Sequence, residues 1–355
     1  MKKIVLTGGG TAGHVTPNMA LIPALAGEGW EIHYLGTADG IERRLIEPIE
    51  GVAYHVVKSG KLRRYFDARN FTDPFRVIAG MARSVRLFRS IRPDVVFAKG
   101  GYVSVPVVYG ARLCGIPVLI HESDMSPGLA NRLCAPLAVA LLCTFPEAAR
   151  LAGRKGRLTG TPLRAELFEG SRKQGLRIAG FDESVPVLLV TGGSSGAQAI
   201  NAAVRAALGR LTGCFQVLHL CGKGNLDDEF EGIPRYRQFE YLNDELSHAY
   251  AMASVIVSRA GSNTLSEILA LKKPALLIPY PKGQTSRGDQ IVNAESFQRR
   301  GLANALPQEA MTPDALADAV IETYKHRGPL IDAMEREPSA DGVENVMAQI
   351  RETAR

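Results

Sequence analysis

The sequence predicts an α/β protein made of two Rossmann-like domains with parallel sheets facing across a cleft, and three observations carry that prediction. The chain has 355 residues, and at roughly 150 residues per domain this suggests two halves, each large enough to bury its own core. The same opening unit occurs twice: Lys3-Ile4-Val5-Leu6-Thr7 runs into Gly8-Gly9-Gly10, and Pro186-Val187-Leu188-Leu189-Val190-Thr191 runs into Gly192-Gly193 at an offset of 184. Each is a buried-type strand, a glycine loop and a helix start. Between them, short apolar runs alternate with helix-length stretches, the pattern of repeated βαβ units. Ligands of such sheets bind at the carboxyl ends of the strands. A polar stretch, 169–174, reads as the linker.

Hydrophobic residues at 46% and charged residues at 22% are ordinary for a globular chain, and no run reaches the ~18 to 20 apolar residues that cross a bilayer. The basic start, Met1-Lys2-Lys3, leads into an apolar run too short for a signal peptide. Five cysteines, without C-x-x-C spacing, read as reduced core residues, and a metal site is not expected from them. The net charge of +6 is concentrated: ten basic and two acidic residues between Lys58 and Arg92 give 10 − 2 = +8, leaving −2 for the rest. Such a segment implies an anionic partner, either nucleic acid or a membrane surface.

In the first half, Gly8, Gly10 and Gly13 satisfy G-x-G-x-x-G. A dinucleotide site also needs an acid at the end of the second strand, yet that strand, Trp30 to Leu35, ends in Gly36-Thr37. The nicotinamide reading falls on this point. Within the basic segment Phe75, Ile78, Met81, Ala82, Val85 and Phe88 recur at helical spacing, with Arg76, Arg83, Arg86 and Arg89 largely outside the stripe. A helix packed on the sheet with solvated arginines accounts for the stripe. With the neighbouring Leu62, Tyr65, Phe66 and Phe71, a peripheral membrane patch accounts for the segment equally well, and both readings stand. Further on, Asp94 to Ala98 and Pro117 to His121 are strands opening onto Lys99-Gly100-Gly101-Tyr102 and Glu122-Ser123-Asp124. His14 on one loop, and Glu122 and Asp124 on another, thus stand at one sheet edge, each with a local bond or helix cap as its alternative role.

In the second half, Ser254 to Val257 is a strand, followed by a glycine turn and the helix start Ser262-Asn263-Thr264-Leu265-Ser266-Glu267. Helix starts suit phosphate. Thr264 and Glu267 also have the T-x-x-E spacing of a capping box, in which they would satisfy the helix's own amides. The loop after the strand Pro274 to Pro279 is rich in hydrogen-bonding side chains, including Asp289 and Gln290, and its polar density suits a sugar.

The combination of Gly9-Gly10-Thr11-Ala12-Gly13-His14, Gly100-Gly101-Tyr102-Val103-Ser104, His121-Glu122 with Pro127-Gly128 and Asn131, residues 160–164, Gly192-Gly193-Ser194, residues 258–267, and Asp289-Gln290 with Asn293-Ala294 spans essentially the whole chain. In this order the motifs resemble the MurG family. These are bacterial glycosyltransferases that add N-acetylglucosamine from its UDP donor to undecaprenyl-pyrophosphoryl-N-acetylmuramoyl-pentapeptide (lipid I), giving lipid II in peptidoglycan synthesis.

That resemblance implies the two-domain glycosyltransferase type B fold, with an acceptor and membrane-binding domain over 1–163, a UDP-N-acetylglucosamine-binding domain over 164–340, and a last helix, 341–355, returning to the first. Glu267 would grip the ribose hydroxyls, Ser262, Asn263, Thr264 and Leu265 would serve the pyrophosphate, and the backbone near Leu242 would read uracil. Asp289 and Gln290 would select the sugar, while Arg164 and Ser194 would lie near the diphosphate. Thr11, Ala12, Gly13 and Asp124 would add donor contacts. Gly9, Gly10, Gly101, Tyr102 and Ser104 would hold the acceptor diphosphate. His14 is the first candidate base, with Asp124 or Glu122 second. No cofactor and no metal is implied. The implied partners are UDP-N-acetylglucosamine, lipid I, an anionic membrane surface met through Phe75, Ile78, Arg83, Arg86 and Arg89, and cell-wall synthesis proteins, without nucleic acid. The implied place is the cytoplasmic face of the cell membrane, in cell-wall growth, cell shape and division.

The sequence departs from the family's frequent Thr-Gly-Gly-His at Ala12 and from His-Glu-Gln-Asn at Ser123-Asp124, and Asp289 stands where glutamine is common. A lipid galactosyltransferase or a UDP-N-acetylglucosamine 2-epimerase shares the fold and donor half. The basic apolar segment is superfluous for a soluble substrate and speaks against the epimerase.

Overall fold

Ile4, Val5 and Leu6 are fully buried, as expected of a central strand in a parallel sheet covered on both faces. The computed structural model describes residues 1–60, 69–192, 197–283, 288–337 and 342–354, without the side chains of 69–72. The chain forms two compact units, Met1–Arg164 with Ala340–Arg355, and Ala165–Ser339.

The first unit contains β1 (Lys3–Thr7), β2 (Glu31–Gly36), β3 (Val52–Val56), β4 (Val95–Ala98), β5 (Val118–Glu122), β6 (Ala140–Cys143) and β7 (Gly156–Leu158). They form one sheet in the order β3-β2-β1-β4-β5-β6-β7. The pairs are all parallel. Alternate side chains of β1 feed two cores. Ile4 and Leu6 join Leu21, Leu25, Trp30 and, from the last helix, Val346, Met347 and Ile350. Val5 joins Leu87, Phe88, Val107 and Val108 on the other face. Asn345 donates to the Thr159 carbonyl at 3.1 Å and so also ties the last helix to the first unit.

The second unit contains β8 (Val187–Thr191), β9 (Gln216–Leu220), β10 (Tyr236–Phe239), β11 (Val255–Ser258), β12 (Ala275–Leu277) and β13 (Asn304–Ala305). Their order is β10-β9-β8-β11-β12-β13, again parallel. In both sheets the strand order reverses beside the first strand of the unit, which defines a topological switch point at its carboxyl end. The stretch 169–174, expected as a linker, belongs to the second unit. Ser171 caps the helix Arg172–Ala179 by accepting from Gln174 N, and Arg172 donates to the Met252 carbonyl at 2.9 Å.

The second core contains a polar residue whose protonation state is dictated by its partners. His219 is fully buried; its Nδ1 lies 2.9 Å from the Tyr236 hydroxyl and its Nε2 lies 3.0 Å from Asn201 Oδ1. Asn201 Oδ1 only accepts, so Nε2 carries the proton and Nδ1 accepts from tyrosine. Burial pushes the imidazole down to about 3, with the Arg205 charge adding to it. The unfolded chain therefore binds this proton below pH ~6.5 and the folded chain does not, so stability falls on acidification. We expect His219 to contribute a loss of about 1.4 kcal/mol per pH unit between pH ~6 and ~4. Urea unfolding of the wild type and of His219→Gln across this range should show a shallower slope in the variant.

Candidate active site

Because β1, β4 and β5 are neighbours, their carboxyl ends bring three loops together. Gly101 has φ +78°, and a Cβ there would meet the Gly9 carbonyl oxygen at 2.2 Å and His14 Nδ1 at 3.3 Å. Gly10 has φ +87°, and a Cβ there would strike the Tyr102 ring at 2.6 Å. Only glycine permits both the left-handed backbone and this close approach. The loop after β1 turns through a 3-10 segment, Ala12–His14, before the helix Thr16–Gly27 begins. There the Thr11 hydroxyl pairs with His14 Nδ1 at 2.9 Å. Thr11 is exposed, and Ala12, Gly13 and His14 are half-buried.

Buried side chains hold these loops from below. Glu42, fully buried, accepts from Gly10 N at 3.1 Å, Thr37 N at 3.1 Å and the Thr37 hydroxyl at 2.5 Å. Tyr34 donates to the Gly8 carbonyl at 2.7 Å, and Asn18 donates to the Thr7 carbonyl at 3.3 Å. Glu42 is missing from the sequence reading, since its spacing marks nothing but an amphipathic turn. Ser104, expected at the acceptor diphosphate, is 1% exposed and donates its hydroxyl to the Gly101 carbonyl at 2.8 Å. This is a correction: Ser104 shapes the glycine turn and is too deeply buried to reach a ligand.

Glu122 is also a holding residue. Its Oε1 accepts from Asp124 N at 2.9 Å, and its Oε2 accepts from Gly128 N and Asn131 Nδ2, each at 2.9 Å. Burial raises its carboxyl above the ordinary carboxylate range, opposed by the bond from Asp124 N. At 5% exposed, with both oxygens committed to the loop, it is geometrically unsuited to be the base. Asp124 itself is half-buried. His121 donates through Nε2 to the Gly160 carbonyl at 2.8 Å, and burial keeps it neutral. Arg164 is exposed at the last position of the first segment.

In the second unit the helix after β11 is Ser262–Ala270, with Gly261 as its N-cap and no side-chain cap. Thr264 is therefore the third helical residue and Glu267 lies past the first turn, so the capping-box expectation is overturned. Leu265 N already bonds the Gly261 carbonyl at 2.9 Å. The pyrophosphate role expected for Leu265 is corrected accordingly, and the first-turn amides are those of Ser262, Asn263 and Thr264. Glu267 Oε2 accepts from the Tyr250 hydroxyl at 2.7 Å. Tyr250 is 2% exposed, and burial raises its phenol well above normal. It therefore donates at any physiological pH.

Two further buried groups join this helix start to its neighbours. Arg259 donates to the Ile278 and Pro279 carbonyls at 3.1 and 3.3 Å, binding the loops after β11 and β12. Asn293 donates to the Ala260 carbonyl at 3.1 Å from the helix Asp289–Arg299. Asp289 and Gln290 open that helix, and Gln290 Oε1 accepts from Tyr280 N at 2.9 Å. Leu242 is half-buried in the loop after β10. Ser194 lies outside the described residues.

The basic helix spans Arg69–Ile91. Its apolar stripe divides: Leu87, Phe88 and Ile91 are buried, whereas Phe75 is 74% and Ile78 57% exposed. Arg76, Arg83, Arg86 and Arg89 are all exposed. No helix among the described residues is long and apolar enough to cross a membrane.

Two parallel-sheet units with glycine loops and helix starts at the switch points are the architecture of the glycosyltransferase type B fold, and the family matches assign the chain to the transferases within it. The glycosyltransferase family 28 N-terminal domain matches residues 4–142, and its C-terminal domain matches residues 187–350. The UDP-N-acetylglucosamine–N-acetylmuramyl-(pentapeptide) pyrophosphoryl-undecaprenol N-acetylglucosamine transferase of Lachnoclostridium phytofermentans is 50% identical, with 99% of each chain covered. The protein of the same name from Lachnospira eligens is 49% identical, with 100% of each covered. The chain therefore belongs to glycosyltransferase family 28, among the transferases of that name. A crystal structure of Acinetobacter baumannii MurG shares the fold, with a TM-score of 0.78 at 24% identity, covering 99% of this chain and 100% of that one.

If Glu122 organises the loop, Glu122→Gln presents an NH2 group to N–H donors and strands at least one of them. The expected destabilisation is ~1–3 kcal/mol. It should be read as a lower urea midpoint and as faster hydrogen exchange at the Asp124 and Gly128 amides.

Proposed function

We propose that the protein transfers N-acetylglucosamine from UDP-N-acetylglucosamine to the 4-hydroxyl of the N-acetylmuramoyl sugar in lipid I, with inversion, forming lipid II and UDP. The observation that carries this reading is the 50% identity over 99% of the chain to a transferase named for that reaction.

On this reading the second unit binds the donor. Glu267 takes the ribose hydroxyls, held in orientation by Tyr250, and the amides of Ser262 to Thr264 meet the pyrophosphate at a helix start. Leu242 lies by the uracil, Ser194 and Arg164 lie by the diphosphate, and Asp289 and Gln290 meet the sugar hydroxyls. Thr11 to Gly13 and Asp124 complete the donor contacts. The first unit binds the acceptor, its diphosphate lying on the backbone of Gly9, Gly101 and Tyr102, whereas the expectation for Gly10 is corrected because its N–H is committed to Glu42. In the single displacement the acceptor oxygen attacks the anomeric carbon as the bond to UDP breaks. Arg164 and the helix amides offset the charge growing on UDP, so no metal is required. His14 takes the 4-hydroxyl proton, with Asp124 as second candidate. If His14 Nδ1–H donates to Thr11, the accepting lone pair resides on Nε2, the tautomer that a base needs.

We also assign the exposed Phe75 and Ile78, with Arg83, Arg86 and Arg89, to an anionic membrane surface. The protein would then work peripherally on the cytoplasmic face, in peptidoglycan synthesis.

Purified protein should transfer labelled N-acetylglucosamine to a lipid I analogue, and His14→Ala should lower kcat by about 10²–10⁴ at saturating donor. Undiminished turnover in that variant removes His14 as the base. Glu267→Ala should raise the donor KM sharply, and Tyr250→Phe should raise it roughly tenfold with kcat nearly unchanged, the value of one hydrogen bond to a charged group. Co-sedimentation with liposomes containing anionic lipid should weaken when Arg83, Arg86 and Arg89 become glutamate and when salt is raised. Binding indifferent to both would reject the membrane assignment.

A further inference from the structure

The group that the chemistry above leaves unused is a lysine inside the acceptor half. Lys99 follows β4 directly and is 1% exposed. Its backbone N–H continues the sheet by donating to the Thr7 carbonyl at 2.8 Å. Its Nζ donates to the Ser123 hydroxyl. Ser123 sits between Glu122 and Asp124, and the charges of both carboxylates act on the Lys99 ammonium in its favour. A buried ammonium costs several kcal/mol in desolvation, and an apolar side chain of similar volume would fill the same space without that cost. A lysine at this depth therefore needs an electrostatic reason. The reason is visible in the loop: two carboxylates two residues apart, one of them 5% exposed, repel each other.

We propose that Lys99 is the internal counter-cation of the Glu122–Asp124 pair, a positioning residue that anchors Ser123 and so fixes the place of Asp124 at the sheet edge. The titratable groups acting with it are Glu122 and Asp124 from β5 and its loop, and His121 on the same strand. His121 is kept uncharged by burial and by Lys99 itself. The local charge is thus about −1 with the lysine protonated and −2 without it. Burial also brings the Lys99 ammonium down to about 8, against the pull of the two carboxylates. The compensation should therefore fade as pH rises above that value. The value of Asp124 to turnover rests on the acceptor-site reading above, whereas the charge coupling does not.

The test is a double-mutant cycle on the full chain, with Lys99→Met, Asp124→Asn and the double variant, read by thermal unfolding at pH ~7 and ~9.5. Lys99→Met alone should lower Tm by about 5–10 °C at pH ~7, because it leaves buried charge uncompensated. Asp124→Asn in that background should recover at least half of the loss, and the loss caused by Lys99→Met should itself shrink at the higher pH, where the wild-type lysine is largely neutral. If Lys99→Met does not fold, recovery of soluble protein in the double variant carries the same information. Additive losses, or a double variant no better than Lys99→Met at either pH, would overturn the proposal, since a lysine that merely packs gains nothing from a neutral residue 124. Lipid I transfer by the wild type is measured separately, so failure of the functional reading leaves this result interpretable.

Discussion

Every strand of a parallel sheet ends by releasing backbone groups that the next strand no longer pairs, and in both units the protein satisfies these groups with buried side chains from neighbouring elements. Glu42 takes Gly10 N, Glu122 takes the amides of Asp124 and Gly128, Asn18 supplies the Thr7 carbonyl and Tyr34 the Gly8 carbonyl. In the second unit Arg259 supplies Ile278 and Pro279, and Asn293 supplies Ala260. A buried backbone group without a partner costs as much as a lost hydrogen bond. These side chains therefore determine which loop conformations exist at all, and the ligand-facing residues inherit their positions from them.

The two units meet that requirement in chemically different ways. In the first, carboxylates face inward under the glycine loops and accept their backbone N–H groups, while His14 is half-buried at the sheet edge. Negative charge is thereby concentrated below the edge, which is why a buried cation, Lys99, belongs in the same place. In the second, an arginine and an asparagine bind the loops to carbonyls. The helix Ser262–Ala270 then starts on Gly261 without a side-chain cap, and on the proposed reading the donor pyrophosphate meets the amides of its first turn. A cap would have competed with the ligand for those donors. Tyr250 adds a fixed donor to Glu267, so the carboxylate is oriented before anything binds.

The helix Arg69–Ile91 shows the same economy of function on the surface. Its carboxyl-terminal half contributes Leu87, Phe88 and Ile91 to the core, while Phe75 and Ile78 continue the stripe into solvent among exposed arginines. An apolar stripe that runs past the surface it covers is what the proposed membrane contact would use. Periodicity alone could not reveal this, because a buried position and an exposed one have the same helical spacing.

Local composition determined the doubled α/β plan, most of the strands and the glycine loops, because a buried parallel strand must be a continuous apolar run and a tight βα turn must have glycine. It also brought His14, Glu122 and Asp124 to one edge, since strand-end loops of a βαβ series always share it. Three strands escaped that reading: β3, whose residues are mostly only half-buried, β6, whose Ala140–Cys143 run suits a helix equally, and β13, with only two residues. What only the tertiary structure decided was the division of labour among the polar residues. Ser104 and Glu122 turned inward to hold loops, Thr264 and Glu267 proved to lie within a helix, and Glu42, Lys99, Asn18 and Tyr250 acquired roles from partners 11 to 32 residues away. Spacing in the chain specifies which residues can share a face, but hydrogen bonding and charge compensation depend on distance through space, and that is set by the packing of the sheet.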